Sequence, residues 1–420
     1  MSVLLDYLEK SVKESEILSS LKELGTNRYI PGKYNDLNAP VFEANETQVL
    51  TPLDSKTPSQ NNYIIFELPQ TGILNNAWFR IDISSTASAA SPDYIYHLGI
   101  FRFITSIEFY HGSNKYYEIS GWTLYDFILN NENLVKWTNK INNSLYNLNI
   151  DENTTRTIIL PLKLPPYKNE SFPANKLCLD AFSQYGFNLR IRINFGSYSD
   201  LCTTTGTISL SNAELHINLI YLNEKDTKEL TLFKLENDTL IHNTATIDMS
   251  SFTTDANGEY SLTVELKELH NKFIQKLSLY VIKTSSLTEA TGKGTFTDLF
   301  NKIKSISLQD GSKKILEYSL DYTMYYNMLA QDKPYSFLNP FNIHSGTISL
   351  NSSIDKIDIL FDDEYFENII ALGITTHKLN NFKIKIEFQN LDASTSYSYF
   401  IIADYLTIGR FEKSKFVNRD

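Results

Sequence analysis

The residues able to do covalent or metal chemistry are scattered along this chain. Seven histidines occur, His97, His111, His216, His242, His270, His344 and His377, and no pair has metal-ligand spacing. His111 falls at a predicted hairpin turn and His216 inside an alternating strand, which gives both turn or packing roles. Cys178 and Cys202 flank a predicted strand pair and could bridge. Two cysteines in 420 residues are no disulfide scaffold, however, and free thiols are the simpler reading. The densest acidic run, DDEYFE from Asp362 to Glu367, reads as a solvated loop leaving a strand, with nothing to mark a catalytic carboxylate pair. TGKGT, Thr291 to Thr295, lacks the spacing of a phosphate loop and reads as a loop tip. There is no nucleophile elbow and no HExxH helix. The sequence therefore assigns no catalytic, cofactor-binding or metal-binding residue. Sequons at Asn45, Asn142, Asn153, Asn169, Asn237 and Asn351 are expected by chance in so asparagine-rich a chain.

Pattern is stronger in the scaffold than in any chemistry. TSIEFYHGSNKYYEIS, Thr105 to Ser120, reads as strand, tight turn and strand. KSISLQDGSKKILEYS, Lys304 to Ser319, reads the same way half a chain later. The second copy keeps Ser305, Ile306, Gly311, Ser312, Lys314, Glu317 and Ser319 where the first has Ser106, Ile107, Gly112, Ser113, Lys115, Glu118 and Ser120. A helix-spaced segment follows each hairpin, GWTLYDFILNNENLVKW from Gly121 and DYTMYYNMLAQ from Asp321. Further on, Phe187, Leu189, Ile191, Ile193 and Phe195 of FNLRIRINF correspond to Phe382, Ile384, Ile386 and Phe388 of FKIKIEF with the same period of two. Hairpin, helix, long connection and closing strands recur in one order, so the chain reads as a tandem duplication. Antiparallel strands at this spacing predict a mainly β protein of two Greek-key or jelly-roll sandwiches, each of roughly eight strands. The 26 tyrosines and 25 phenylalanines agree, because aromatic side chains suit pleated, half-buried surfaces.

The remaining segments complete the plan. Residues 1–60 read as an N-terminal helix and extended arm, 61–222 as the first jelly roll and 223–240 as a linker. Residues 241–410 read as the second jelly roll and 411–420 as a C-terminal tail. Leu4, Leu5, Leu8, Val12, Leu18 and Leu21 make a helical stripe that stops at Gly25. Such a helix can pack on its own domain, dock on a neighbouring subunit or lie against a surface outside the fold. NEKDTKELTLFKLENDTL, from Asn223, is charged and without strong period, which marks it as the joint. RFEKSKFVNRD, with Arg410, Lys413, Lys415 and Arg419, reads as a solvated tail. A net charge of −11 with no basic run argues against direct nucleic-acid binding. No apolar run has the length of a bilayer span and no secretory signal is present, so the expectation is a chain that stays soluble until it is assembled.

NNYIIFELPQTGILNNAWFRIDI, ITSIEFYHGSNKYYEISG, LCLDAFSQYGFNLRIRINF and ISLSNAELHINLIYL together resemble the first jelly roll of double jelly-roll major capsid proteins of the adenovirus–tectivirus lineage. KSISLQDGSKKILEYSLDYTMYYNML and PYSFLNPFNIHSGTISLNSSIDKIDILF resemble the second. SGTISLNSSID departs from the Ser-Gly-x-x-Asn-x-Ser pattern of the large-DNA-virus subgroup, because Leu350 precedes Asn351 and the spacing is longer. That leaves the subgroup open. The resemblance spans about residues 60–410. It implies a homotrimer forming pseudo-hexameric capsomers that tile the icosahedral shell of a dsDNA virus, with loops projecting as towers. Its implied partners are neighbouring capsomers, minor capsid or penton proteins and, through the N-terminal helix, an internal membrane. It also implies synthesis in the host cytoplasm, residence in the virion, no cofactor and no catalytic residues. Two other classes are compatible with the composition. A receptor- or glycan-binding spike or lectin-type β-sandwich would have one functional domain with exposed aromatics. A tandem β-sandwich glycosidase would need a carboxylate pair across a cleft.

Overall fold

The computed structural model describes residues 42–96, 98–131, 134, 138, 141–142, 148–165, 175–270, 272–288, 296–297, 299, 302–319, 356–360, 374–375, 381–412 and 415–419. The predicted N-terminal helix, the second post-hairpin helix, DDEYFE, TGKGT, His97, His344 and His377 lie outside the described residues. Described residues up to Asn243 and from Thr407 onward form a first compact unit, and Thr244 to Leu406 a second.

The first unit opens with β1 (Phe42–Leu50), β2 (Tyr63–Glu67), β3 (Ile73–Ser85), β4 (Asp93–Ile95) and α1 (Gly99–Phe103). Next come β5 (Ile104–His111), β6 (Asn114–Ile119), α2 (Gly121–Leu129), β7 (Leu148–Ile150), β8 (Arg156–Pro161), β9 (Leu177–Cys178) and α3 (Leu179–Ser183). It continues through β10 (Leu189–Phe195), α4 (Tyr198–Leu201), β11 (Ile208–Leu222) and α5 (Glu224–Glu236). After β12 (Thr239–Thr253) the second unit has β13 (Tyr260–Glu265), β14 (Phe273–Lys283), β15 (Ile303–Asp310), β16 (Lys313–Ser319) and β17 (Lys356–Leu360). β18 (Ile374–Thr375), β19 (Phe382–Phe388) and β20 (Ser396–Glu412) follow, and β21 (Lys415–Arg419) belongs to the first unit.

Both units have one strand order. In the first, β1-β11-β3-β8 form one sheet and β2-β10-β5-β6 the other; in the second, β12-β20-β14-β17 and β13-β19-β15-β16 do so. Even the short β9, paired with Ile73 and Leu74, has its counterpart in β18, paired with Phe273 and Ile274. The duplicated hairpin matches residue by residue. Its register shifts between Phe109 and Tyr110 in one copy and between Leu308 and Gln309 in the other, the equivalent place. Gly112 and Gly311 turn the two hairpins with φ of 62° and 63°, a left-handed conformation that costs glycine little.

Alternation builds the cores. β10 and β19 bury every second side chain, and Phe79 on β3 meets both Phe66 on β2 and Phe195 on β10 at 6.3 Å. In the second unit Phe252 stacks on Tyr260 at 4.5 Å and Phe388 at 5.2 Å, again joining two sheets. These are double-layer sandwiches; β10 and β19 keep a solvated face, whereas β14 and β20 are buried on both faces.

Three segments differ from their sequence reading. Phe42–Leu50, inside the predicted arm, is β1, hydrogen-bonded along β11 as a sheet edge. The charged joint is the helix α5. Asn223 caps it by accepting the Asp226 N–H at 2.8 Å, Glu224 and Asp226 occupy its first turn, and Lys228 pairs with Glu224. It buries only Leu230, Thr231 and Lys234, too narrow a stripe to show as a period. The tail read as solvated is β21, paired with β20, with Phe416 buried.

Asp93, fully buried on β4, joins distant loops of the first unit. Its Oδ1 accepts from Thr203 Oγ1 (3.0 Å), Thr205 N (2.6 Å) and Thr205 Oγ1 (2.7 Å), and its Oδ2 from Ser85 Oγ (2.6 Å) and Gly206 N (3.0 Å). Burial alone would push this carboxyl up, but the hydrogen bonds from Ser85, Thr205 and Gly206 prevail and hold it at about 2. Its contribution to stability is complete above the unfolded value of about 3.9 and is lost as the pH falls toward the folded one.

Asp93→Asn sets an amide N–H against main-chain N–H donors. It should lower unfolding stability by about 2–3 kcal/mol at neutral pH, a gap that narrows near about pH 2, as urea midpoints will show. Glycine tests separate strain from collision. A Cβ on Gly311 meets nothing within 4 Å, whereas one on Gly258 (φ 74°) would sit 2.0 Å from the Leu391 carbonyl oxygen. Gly311→Ala should cost about 1 kcal/mol, and Gly258→Ala should lower the thermal midpoint several times further.

Candidate functional site

The repeat presents matched polar faces. Arg190 on β10 lies opposite Glu67 on β2 at 2.8 Å, and Lys383 on β19 lies opposite Glu265 on β13 at 3.8 Å. Asn194 Nδ2 donates to Ser106 at 2.8 Å; in the second unit Ser305 donates to Glu387 at the same register, at 3.0 Å. The Asn188 amide and then Arg190 hold Glu67 below the usual carboxylate range, as the Lys385 ammonium and the Ser305 hydroxyl do for Glu387. Tyr63 lies between Lys56 and Arg192, 3.5 and 3.8 Å from its ring centre. Such solvated pairs are worth less than about 1 kcal/mol each. They make a wall of mixed sign that can offer many weak, directional contacts, with no stripe of one charge among the described residues.

Buried charge is committed within the fold. Lys276 meets Asp404 at 3.0 Å, and Thr244 Oγ1 donates to Asp404 at 2.6 Å. Lys356 meets Asp358 at 3.3 Å, and Ser278 donates to Asp358 at 2.6 Å. Burial pushes Asp358 up, but Lys356 and Lys276 outweigh it and keep the carboxylate ionised. A general acid needs a carboxyl free to exchange its proton with substrate; these oxygens are already engaged.

The residues singled out in sequence are not brought together. His111 is buried between the Phe416 N–H and the Phe182 carbonyl. His216 meets Glu214 at 3.0 Å beside Arg80, while His242 lies on β12 and His270 follows Leu269. Among the described residues no three His, Cys, Asp or Glu side chains gather as metal ligands. Cys178 and Cys202 are buried and unbridged, and burial pushes their thiols up to about 11 and about 12. Asn142 is buried, its amide tied to the main chain of Thr138 and Ile159. A hollow of about 50 Å³, lined by Gly72, Cys178, Asp180, Tyr221 and Leu230 among others, is far below the roughly 300–1,000 Å³ of ligand pockets. Asp93, the most heavily bonded carboxylate described above, was not foreseen. Its partner Thr205 is 112 residues away, and no local spacing links the two.

Neither thiol should react with a disulfide reagent in the native protein, and both should react once denaturant unfolds it; colorimetric titration will count them.

No family model matches the sequence, and no curated protein matches it. Solved structures do match. Vp54 of the virus PBCV-1, fitted into a reconstruction of the virophage Sputnik, is similar at a TM-score of 0.63 and 11% identity, covering 91% of this chain and 97% of that one. The quasi-atomic PBCV-1 capsid is similar at 0.60, with the same identity and coverage. The Faustovirus major capsid protein is similar at 0.57 and 11% identity, covering 100% of this chain and 97% of that one. Strand order, duplicated register and these matches agree: the chain has the double jelly-roll fold of viral major capsid proteins.

Proposed function

We propose that this chain is the major capsid protein of an icosahedral virus, building its shell as homotrimers. The observation that carries this reading is the duplication itself, two jelly rolls with one strand order and one hairpin register. Three such subunits place six near-equivalent domains around a threefold axis, a pseudo-hexameric capsomer that packs against its own copies. An enzyme or a lectin gains nothing from matching both halves so closely, whereas a tile does. Polar faces of mixed charge suit subunits that must remain separate before assembly and make many weak contacts afterwards. The partners in this reading are neighbouring capsomers and minor capsid or penton proteins. The setting is the virion, after synthesis in the host cytoplasm, and the role is structural rather than catalytic. Residues 1–25 are the arm that ties capsomers together or touches an internal membrane, their leucine stripe being covered only in the shell.

Light scattering of the purified protein should give about 145 kDa, three copies of the 48.2 kDa chain, and negative-stain images should show hexagonal outlines. A monomer that persists at high concentration, or turnover of a glycoside panel, overturns the proposal. Deleting residues 1–25 should leave the trimer and its melting temperature in place while weakening shell assembly. A large fall in melting temperature would instead place that helix on its own domain.

A further inference from the structure

His111 ends β5, and its ring bridges two main-chain groups. Nδ1 accepts the Phe416 N–H at 3.0 Å, and Nε2 meets the Phe182 carbonyl oxygen at 2.9 Å. An amide N–H only donates and a carbonyl only accepts, so these partners select the neutral tautomer protonated on Nε2. The ring thereby ties β21, the last strand, to α3. Asn114 Nδ2 donates to the Phe416 carbonyl at 2.6 Å, so both main-chain groups of Phe416 are held from the β5–β6 hairpin. Phe416 packs against Tyr116 and Phe182, each at 5.1 Å, and Phe411 lies 5.9 Å from the His111 ring. The hairpin itself does not demand histidine here. Its second copy has Asp310, which accepts the Asn381 N–H at the surface.

We propose that His111 is a proton-operated latch, whose protonation releases β21 from the first unit. A proton on Nδ1 sets N–H against N–H, replacing the hydrogen bond to Phe416 with repulsion, and places a cation among aromatic rings. The packed elements bring no compensating anion among the described residues. β6 contributes the Tyr116 phenol, which burial keeps protonated, and Lys115, paired with Glu118. Asp180 on α3 accepts the Gly72 N–H, Tyr185 packs on Phe411, and on β20 Arg410 pairs with Glu412 and Asp238. Burial lowers the His111 ring below its ordinary value. A depressed histidine contributes stability above the unfolded value of about 6.5 and loses it as pH falls through the folded one. The latch does not depend on the shell role, since it joins parts of a single chain.

Hydrogen–deuterium exchange of the full-length protein, corrected for intrinsic rates between about pH 7.5 and about pH 5, tests it. Protection of the peptide containing Phe416 should fall by up to about tenfold per pH unit below the unfolded value of about 6.5 and level off at the folded one, while the β10 peptide stays protected. In His111→Asn, whose amide can accept from Phe416 and donate to Phe182 without titrating, protection should be level with pH. Level protection in the wild-type protein, or an equal fall in the variant, overturns the latch. Should the variant fail to fold, the wild-type contrast between the two peptides decides alone.

Discussion

Each unit rests on one constraint: alternate side chains of every central strand must fall between two sheets. A slip of one residue in β10 or β19 would turn Ile191 and Ile193, or Ile384 and Ile386, outward and bring Arg192 or Lys385 into the core. The cost of burying an unpaired cation makes register the least negotiable property of the sheet. That explains why the two halves have kept period, bulge and turn while exchanging most side chains. Leu189 stands where the second copy has Phe382, and Asn194 where it has Glu387, but neither difference moves a residue to the other face of its sheet.

Polar groups follow from the same constraint. Those on outer faces stay wet and pair loosely, as Arg190 and Glu67 do. Three carboxylates that geometry forces inside are held there: Asp93 by hydroxyls and main-chain amides, Asp358 and Asp404 by lysines and hydroxyls. Carboxylates held in this way fix loops and strands, and the shell role proposed above would draw on that rigidity, since a tile must present the same walls in every copy.

Closure of the first unit draws on the far end of the chain. Asn243 donates to Thr407, and Phe416 reaches His111 across 305 residues of sequence. Contacts of such separation form late, because the loop entropy must be met before they contribute. The first unit is therefore complete only when the whole chain is present. Its aromatic cluster of Tyr116, Phe182, Phe411 and Phe416 is assembled from segments of the start, middle and end of that unit's sequence.

By itself the sequence determined what is periodic and local. The duplicated hairpin, its glycine turns, the alternating strands FNLRIRINF and FKIKIEF, the helix after Ser120 and the double jelly roll were all legible, because a strand's two faces and a left-handed turn are written in neighbouring residues. Tertiary structure alone decided the rest. α5 depends on a cap, ion pairs and a few buried side chains that show no stripe, and β1 and β21 are strands because β11 and β20 offer them an edge. Asp93 and His111 look like ordinary loop and turn residues until Thr205 and Phe416 are brought beside them. Hydrogen bonds between residues more than a hundred positions apart leave no trace in local spacing, since only the folded chain makes them neighbours.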